Sequence, residues 1–458
     1  MKKSWPGGPR GWPVVGSLFE FTNNPLTFTS DLFRQYGEVA SFDILGAPFV
    51  MFFHPRAVKN ILIDNARNFT NREANPKLRE IVGDGLLTID GVEHRRQRRI
   101  VQPAFHRSRI ERYASLMIER TERMLTSWRS GQEIDMSVAM SDLTLEIAGD
   151  SLFGADLGER AREIGQAFLA MSEYADLPVL SPSRISIDLP FTVYGKSIRA
   201  RRRLLEIVET IIHQRRESGE LGEDVLSMLL ASRDDEGGGL DDVQVRDHIL
   251  TFLAAGHATT ANVLSWTFYL LSENPRVREK LTAELIGVLG GRAPSVEDLA
   301  HLPYLEMVIN ESMRLFPPAW AQARRASDGF DLEGYHFPAG TLVGVCQWVT
   351  HRRADLWGDP VAFRPERFAP DAPEPPPLSF FPFGGGPRTC IGMPFALLEA
   401  RLLLATILQR YSPALVPGHP VEPRALIILQ PRFGMRMQLA PTRSVVSTGP
   451  VTVNGISR

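Results

Sequence analysis

The chain has 458 residues, 43% of them hydrophobic and 23% charged, with a formal net charge of -2. This is the make-up of a globular protein with a large core, and it excludes a chain drawn to nucleic acid by bulk charge. The two cysteines, Cys346 and Cys390, are too few for a disulfide framework and fit a reducing cytoplasm.

Residues 39–53 alternate in polarity around Gly46-Ala47-Pro48, which predicts a hairpin, with helices near 26–36 and 55–65. From about 91 to 232 the apolar spacing is helical, with breaks at 130–131, 177–190 and 219–222. The run Gly237-Gly238-Gly239 precedes Asp241 and Asp242, caps for a long helix that stops at Asn274-Pro275. Helices continue to Phe316 and end at Pro317-Pro318; short strands follow over 331–349, with Cys346 among them as a small buried hydrophobe. A Pro-rich coil over 371–377, a helix over 394–411 and a strand-rich end complete the pattern. Residues 1–441 read as one domain, mainly α with a small β-rich lobe. Residues 442–458 are polar and patternless and are expected to be a disordered tail.

Two segments resemble signals and are not. Residues 249–271 hold no Asp, Glu, Lys or Arg, but His257, Thr259, Thr260, Asn262 and Ser265 sit within them. A helix apolar all round with a polar waist is a buried central helix rather than a lone membrane span. Gly195-Lys196-Ser197 ends like a phosphate loop, yet Pro190 stands where the first glycine is required.

Cys390 lies in Phe383-Gly384-Gly385-Gly386-Pro387-Arg388-Thr389-Cys390-Ile391-Gly392, at the start of an apolar helix. Glycines let backbone N–H groups approach the sulfur, and the helix N-terminus adds its dipole. Both favour thiolate, a ligand that haem iron accepts. The spacing of Phe383, Gly386, Arg388, Cys390 and Gly392 resembles the haem-binding signature of the cytochrome P-450 family. The resemblance implies that Cys390 is the metal ligand of a haem b, and it extends from Trp5-Pro6-Gly7-Gly8-Pro9 to about Pro441. The absence of an apolar stretch around that Pro/Gly segment implies a protein without a membrane anchor.

Glu311 and Arg314 are three apart on a helix, so they share a face. With Arg367 in Pro365-Glu366-Arg367-Phe368 they match the family's structural triad, which implies a buried charge network fixing the cysteine loop. His94 and Arg98 are four apart on another helix. By resemblance they hold the haem propionates, together with Arg388 and Arg324.

Ala255-Gly256-His257-Ala258-Thr259-Thr260 resembles the family's oxygen-activating motif. Gly256 would leave room beside the iron, and Thr259 would donate a hydrogen bond to dioxygen. Position 258 departs from the family, which has an acid there for proton delivery, and His257 projects about 100° away. Apolar stretches at 82–87, 252–255, 320–323 and 426–429 would form the substrate pocket, and the run 351–368 resembles the fatty-acid-hydroxylating branch. The resemblance as a whole implies a cytoplasmic, monomeric monooxygenase that inserts one atom of O2 into a C–H bond of an apolar small molecule, a fatty acid or a terpenoid or steroid. Electrons would come from a ferredoxin- or flavodoxin-type donor and its reductase. A peroxide-driven peroxygenase, an isomerase or dehydratase of the same fold, and a haem-thiolate sensor without turnover are the alternatives.

Overall fold

A computed structural model describes residues 5–154, 163–167, 170, 171, 174, 189, 191–234 and 237–442. The expected break at 177–190 and the expected disordered tail lie almost wholly outside the described residues. The principal helices are α1 (Pro25–Tyr36), α2 (Gly91–Val101), α3 (Ala114–Thr126), α4 (Met136–Phe153), α5 (Val193–Ser218), α6 (Asp242–Glu273), α7 (Pro275–Leu289), α8 (Pro303–Leu315) and α9 (Met393–Arg410).

The minor part is β. Strands β1 (Val39–Ile44) and β2 (Ala47–Phe52) form the expected hairpin. With β3 (Phe69–Thr70), β5 (Gln322–Ala326) and β6 (Leu342–Val345) they make a five-stranded sheet ordered β1-β2-β6-β5-β3. Only the β2–β6 pairing is parallel, and it joins strands nearly three hundred residues apart. A second sheet pairs β4 (Glu133–Asp135), β10 (Arg436–Pro441) and β7 (Tyr411–Leu415), and β8 (Pro423–Ala425) pairs with β9 (Leu429–Pro431).

Helix α6 organises the interior. Asp241 starts it with a capping box: its carboxylate accepts from the Gln244 N–H at 2.8 Å, and Gln244 accepts from the Asp241 N–H at 3.1 Å. Its C-terminal half joins the cluster built from α3, α4, α8 and α9, and its N-terminal half joins a second cluster with α4 and α5. Its polar residues satisfy themselves by donating to carbonyls one turn back, as Thr251, Asn262, Ser265 and Thr267 do at 2.7–2.8 Å. Among the described residues no helix is long and apolar enough to cross a membrane.

Two local expectations need correction. The strand expected through Cys346 ends at Val345, and Gln347–Thr350 is a short helix, because the Trp348 N–H is taken by Trp320 O. Strand β5, polar and basic in sequence, escaped notice because it forms by pairing on both sides, with β6 and with β3.

The Glu311–Arg314–Arg367 group is a buried clamp. Arg314 grips Glu311 through two bonds of 2.7 and 2.8 Å, both side chains wholly buried. Its remaining protons go to the carbonyls of His351, Pro360 and Ala362, while Glu311 also accepts from the Arg364 N–H and from Arg367 at 3.3 Å. His351 passes the constraint on: its Nε2 accepts from the Phe381 N–H at 3.0 Å, and Phe381 O accepts from Gly384. Removing one partner of a satisfied buried pair costs roughly 3–5 kcal/mol. Arg314→Ala is therefore expected to lower the soluble yield and the haem content, measured by haem absorbance per polypeptide; full occupancy with an unchanged denaturation midpoint would contradict the clamp.

Candidate functional site

The cysteine loop begins where the clamp ends. The Cys390 N–H donates to Phe383 O at 3.0 Å, closing a loop whose base, the Phe383 ring, packs on the main core. Gly386 has φ 66, and a Cβ there would lie 2.1 Å from Leu62 O, so this position requires glycine on two grounds. Thr389 seals the turn by donating its N–H and hydroxyl to Gly386 O at 3.0 and 2.8 Å. Gly392 then caps α9, with room for a Cβ only 3.9 Å from the sulfur.

Cys390 is exposed, whereas Cys346 is buried and its thiol is pushed up to about 11 by burial. Both are free, so no disulfide joins them. Burial raises the pKa of Cys390, while the N–H groups of Gly392 and Met393 and the charge of Arg98 pull the other way. The N–H groups of the loop and helix start thus act toward thiolate, against the burial, and coordination to a metal is what deprotonates such a thiol.

Three guanidiniums and an imidazole converge beside this loop. Arg98 donates to Thr389 O at 2.8 Å. Arg388 binds Asp90 and Ile89 O. Arg324, on β5 and 8% exposed, has only neutral partners: Asn71 Oδ1 at 3.2 Å, Gln322 Oε1 at 3.1 Å and Ala323 O at 2.8 Å. Burial lowers the pKa of all three, Arg324 to about 10. His94 is buried and held to about 4 by desolvation and by Arg388 and Arg98, so it is neutral. Three positive charges thus face one carboxylate, Asp90, and the cluster carries an excess of two. Two anionic groups would balance it. Asp90 and Asn71, which the sequence did not single out, are what tie Arg388 and Arg324 together.

The other wall is the middle of α6. Residues 249–253 and 260–268 are buried, yet Ala255 is exposed and Ala254 and residues 256–259 are partly so. A Cβ added at Gly256 would meet nothing within 4 Å. Ile391, next to Cys390, packs against the same apolar cluster that Phe252 and Leu253 belong to. Thr259 donates to Ala255 O at 2.7 Å. The hydroxyl rotates about its C–O bond, so on this open stretch it has both a donor and acceptors to offer. His257 is tied by Nδ1 to Leu253 O at 2.7 Å, and its carbonyl accepts from Thr144 of α4. Of the apolar stretches, 320–323 meets 426–429, where Trp320 Nε1 donates to Leu426 O at 2.8 Å, while 82–87 meets α6 one turn before 252–255, where the Leu86 N–H donates to His248.

Residues 6–434 match the family model described as Cytochrome P450. The chain belongs to the cytochrome P450 family. Similar P450s include cyclooctatin synthase of Streptomyces melanosporofaciens, 36% identical over 91% of both chains, and pentalenene oxygenase of Streptomyces avermitilis, 31% identical over 94% of this chain and 96% of that one. The retinoic acid bound cyanobacterial CYP120A1 structure superposes with TM-score 0.87 at 30% identity, covering 95% of this chain and 99% of that one. The fold is thus the P450 fold, and the protein is a P450 monooxygenase that takes haem b. The residues present fit that group: an accessible thiol, a helix stripe left open beside Gly256, and a cationic cluster with two charges to spare for two propionates.

This P450 also buries an acid that the sequence reading passed over. Glu399 on α9 is 1% exposed; Thr260 draws its pKa down slightly, but neither carboxyl oxygen completes a hydrogen bond among the described residues. A lone acid in the apolar run Ala396-Leu397-Leu398-Glu399-Ala400 was the available signal. Burial raises its pKa from 4.5 to about 8. A raised folded pKa favours folding fully below the unfolded value, and that advantage is lost as pH rises through about 8. The holoprotein should therefore melt at lower temperature from pH 5 toward pH 8, and Glu399→Gln, a mimic of the protonated form, should flatten that decline in melting scans. Parallel declines would mean that Glu399 does not titrate in this window.

Proposed function

We propose that Cys390 is the proximal iron ligand of this P450 and that its substrate is a terpenoid-like apolar molecule. Haem b supplies the oxygen chemistry once bound. The observation that carries the reading is the open stretch Ala254–Thr259 between the buried runs 247–253 and 260–268 of α6, together with the exposed thiol. Arg98, Arg324, Arg388 and neutral His94 would hold the propionates. Phe383, Gly386 and Gly392 would shape the cysteine loop, and Gly256 and Thr259 would line the oxygen side. Residues 1–441 would work as one haem unit. Electrons would come from a separate ferredoxin or flavodoxin with its reductase, in the cytoplasm, where two unpaired cysteines persist.

Terpenoid-oxidising relatives at 31–36% identity support this substrate class over the fatty acid implied by the resemblance of residues 351–368. The pocket stretches are apolar and include large side chains such as Phe252 and Trp320. A panel of cyclic diterpenes, retinoids and fatty acids, read by the substrate-induced spin-state shift of the haem band, tests the class; a shift with fatty acids alone would overturn it. Cys390→Ser should abolish the red-shifted Soret band of the reduced carbon-monoxide complex, whereas Cys346→Ser should keep it. A mutant at Cys390 that retained the band would refute the ligand assignment.

Position 258 favours a second reading, peroxide use. Between Asp247 and Glu273 helix α6 has no acid at all, so no carboxylate on it can pass protons to Thr259. Partner-driven turnover should lose electrons as free peroxide, and added peroxide should support comparatively better turnover. A positioned acid contributes typically ~10²–10⁴-fold, so Ala258→Glu should raise product per reduced nicotinamide consumed by about tenfold. Tight coupling in the unmodified chain, unimproved by the acid, would show that another group already carries the proton.

A further inference from the structure

The segment from Gly83 to Asp90 is tied to α6 by two side chains that the function above leaves unused. Asp247, 4% exposed, accepts from the Asp84 N–H at 2.8 Å, while its other oxygen accepts from Arg246 at 2.9 and 3.0 Å. His248, wholly buried, accepts from the Leu86 N–H through Nδ1 at 3.2 Å. That bond puts the proton of the neutral ring on Nε2, and Nε2 has no partner among the described residues. A buried donor left unsatisfied is a cost, so something else must hold the ring in place. The contact that does so is its stacking on Phe252, 5.9 Å away and inclined by 11°.

The loop itself is shaped to reach these groups. Gly83 has φ 74, and a Cβ there would lie 2.4 Å from Asp247 Oδ2; one at Gly85 would lie 2.1 Å from Thr251 Oγ1. Thr88 folds its hydroxyl back onto Gly83 O at 2.7 Å, and Arg79 pairs with Asp84 at 2.7 and 2.9 Å. At the far end Asp90 is fastened to Arg388 and to the Asn71 N–H. Of residues 85–89 only Leu87 is exposed. The loop is therefore held at both ends, at one by the cationic cluster and at the other by α6, about 10 Å along the helix from Ala255.

We propose that Asp247 and His248 are positioning residues, a latch whose two backbone hydrogen bonds fix this loop as a wall of the pocket and so set substrate selectivity without touching substrate. This rests on the P450 reading for its consequence but not for its structural core. Two variants of His248 separate the roles. His248→Phe keeps a ring to stack on Phe252 and loses the acceptor. His248→Asn places an oxygen near the position of Nδ1 and restores it.

Hydrogen exchange followed by mass spectrometry on the holoprotein reads the latch directly. His248→Phe should speed exchange in peptides spanning 83–88 by about fivefold, the effect of one typical hydrogen bond, and His248→Asn should return it toward the unmodified rate. Haem content and the carbon-monoxide band should stay as they were. Binding of retinoic acid relative to lauric acid, read by the spin-state shift, should change in the Phe variant and recover in the Asn variant. Unchanged exchange in His248→Phe would overturn the latch, as would faster exchange with the retinoic-to-lauric ratio intact. Should the Phe variant fail to fold, Asp247→Asn, read at the Asp84 amide, carries the same test. Absence of the thiolate-type band in the unmodified protein would instead sink the functional reading and leave the exchange result standing.

Discussion

The Glu311–Arg314 pair is the constraint on which the site depends. Two opposite charges with no exposure are tolerated only because every remaining proton and lone pair is used, and the groups that use them are the backbone of residues 351–364. From there the order passes through the His351 ring to Phe381, to Gly384 and to the loop closed by Phe383 and Cys390. The thiol is thus positioned by a rigid scaffold that begins on α8, far from it in sequence. A loop held only by its own glycines would lose far more conformational entropy to present one atom reproducibly.

The second organising feature is a charge imbalance. Arg98, Arg324 and Arg388 come from a helix, an internal strand and the cysteine loop, and among the described residues Asp90 is the carboxylate set against them. Buried cations without partners are unfavourable. Such an excess persists in a fold when binding an anionic group relieves it, which is the sense in which P450 folding and haem uptake are linked. The same logic explains why His94 stays neutral: three guanidiniums already crowd the site, and a fourth charge would find no counter-ion.

Along α6 the two functions of a buried helix are divided by position. The runs 247–253 and 260–268 pack, and the stretch between them stays open. Hydroxyl and amide side chains donate to carbonyls one turn back, so the helix can carry polar groups without orphaning them. This also fixes what each can do. Thr259 keeps its hydroxyl on the open stretch, bonded to its own helix, His257 is likewise held by α6, and no acid stands at 258.

The sequence by itself determined the covalent essentials. The spacing Phe383, Gly386, Arg388, Cys390, Gly392 names the loop, because glycine's backbone freedom and the start of an apolar helix are local properties. The breaks at Asn274-Pro275 and Pro317-Pro318 and the cap at Asp241 were legible for the same reason: they depend on φ and on hydrogen bonds within a few residues. What only the tertiary structure decided is everything that needs partners distant in the chain. Strand β5 has no strand pattern and exists because β6 and β3 pair with it from either side. Asp90 and Asn71 are unremarkable polar residues until Arg388 and Arg324 arrive from three hundred and two hundred and fifty residues away. Glu399 becomes a high-pKa acid only when α6 and its neighbours strip its water. Asp247 and His248 become a latch only when the loop at 83–88 is laid across them. Burial and long-range hydrogen bonding are properties of the packed molecule, and a linear sequence does not state which surfaces will meet.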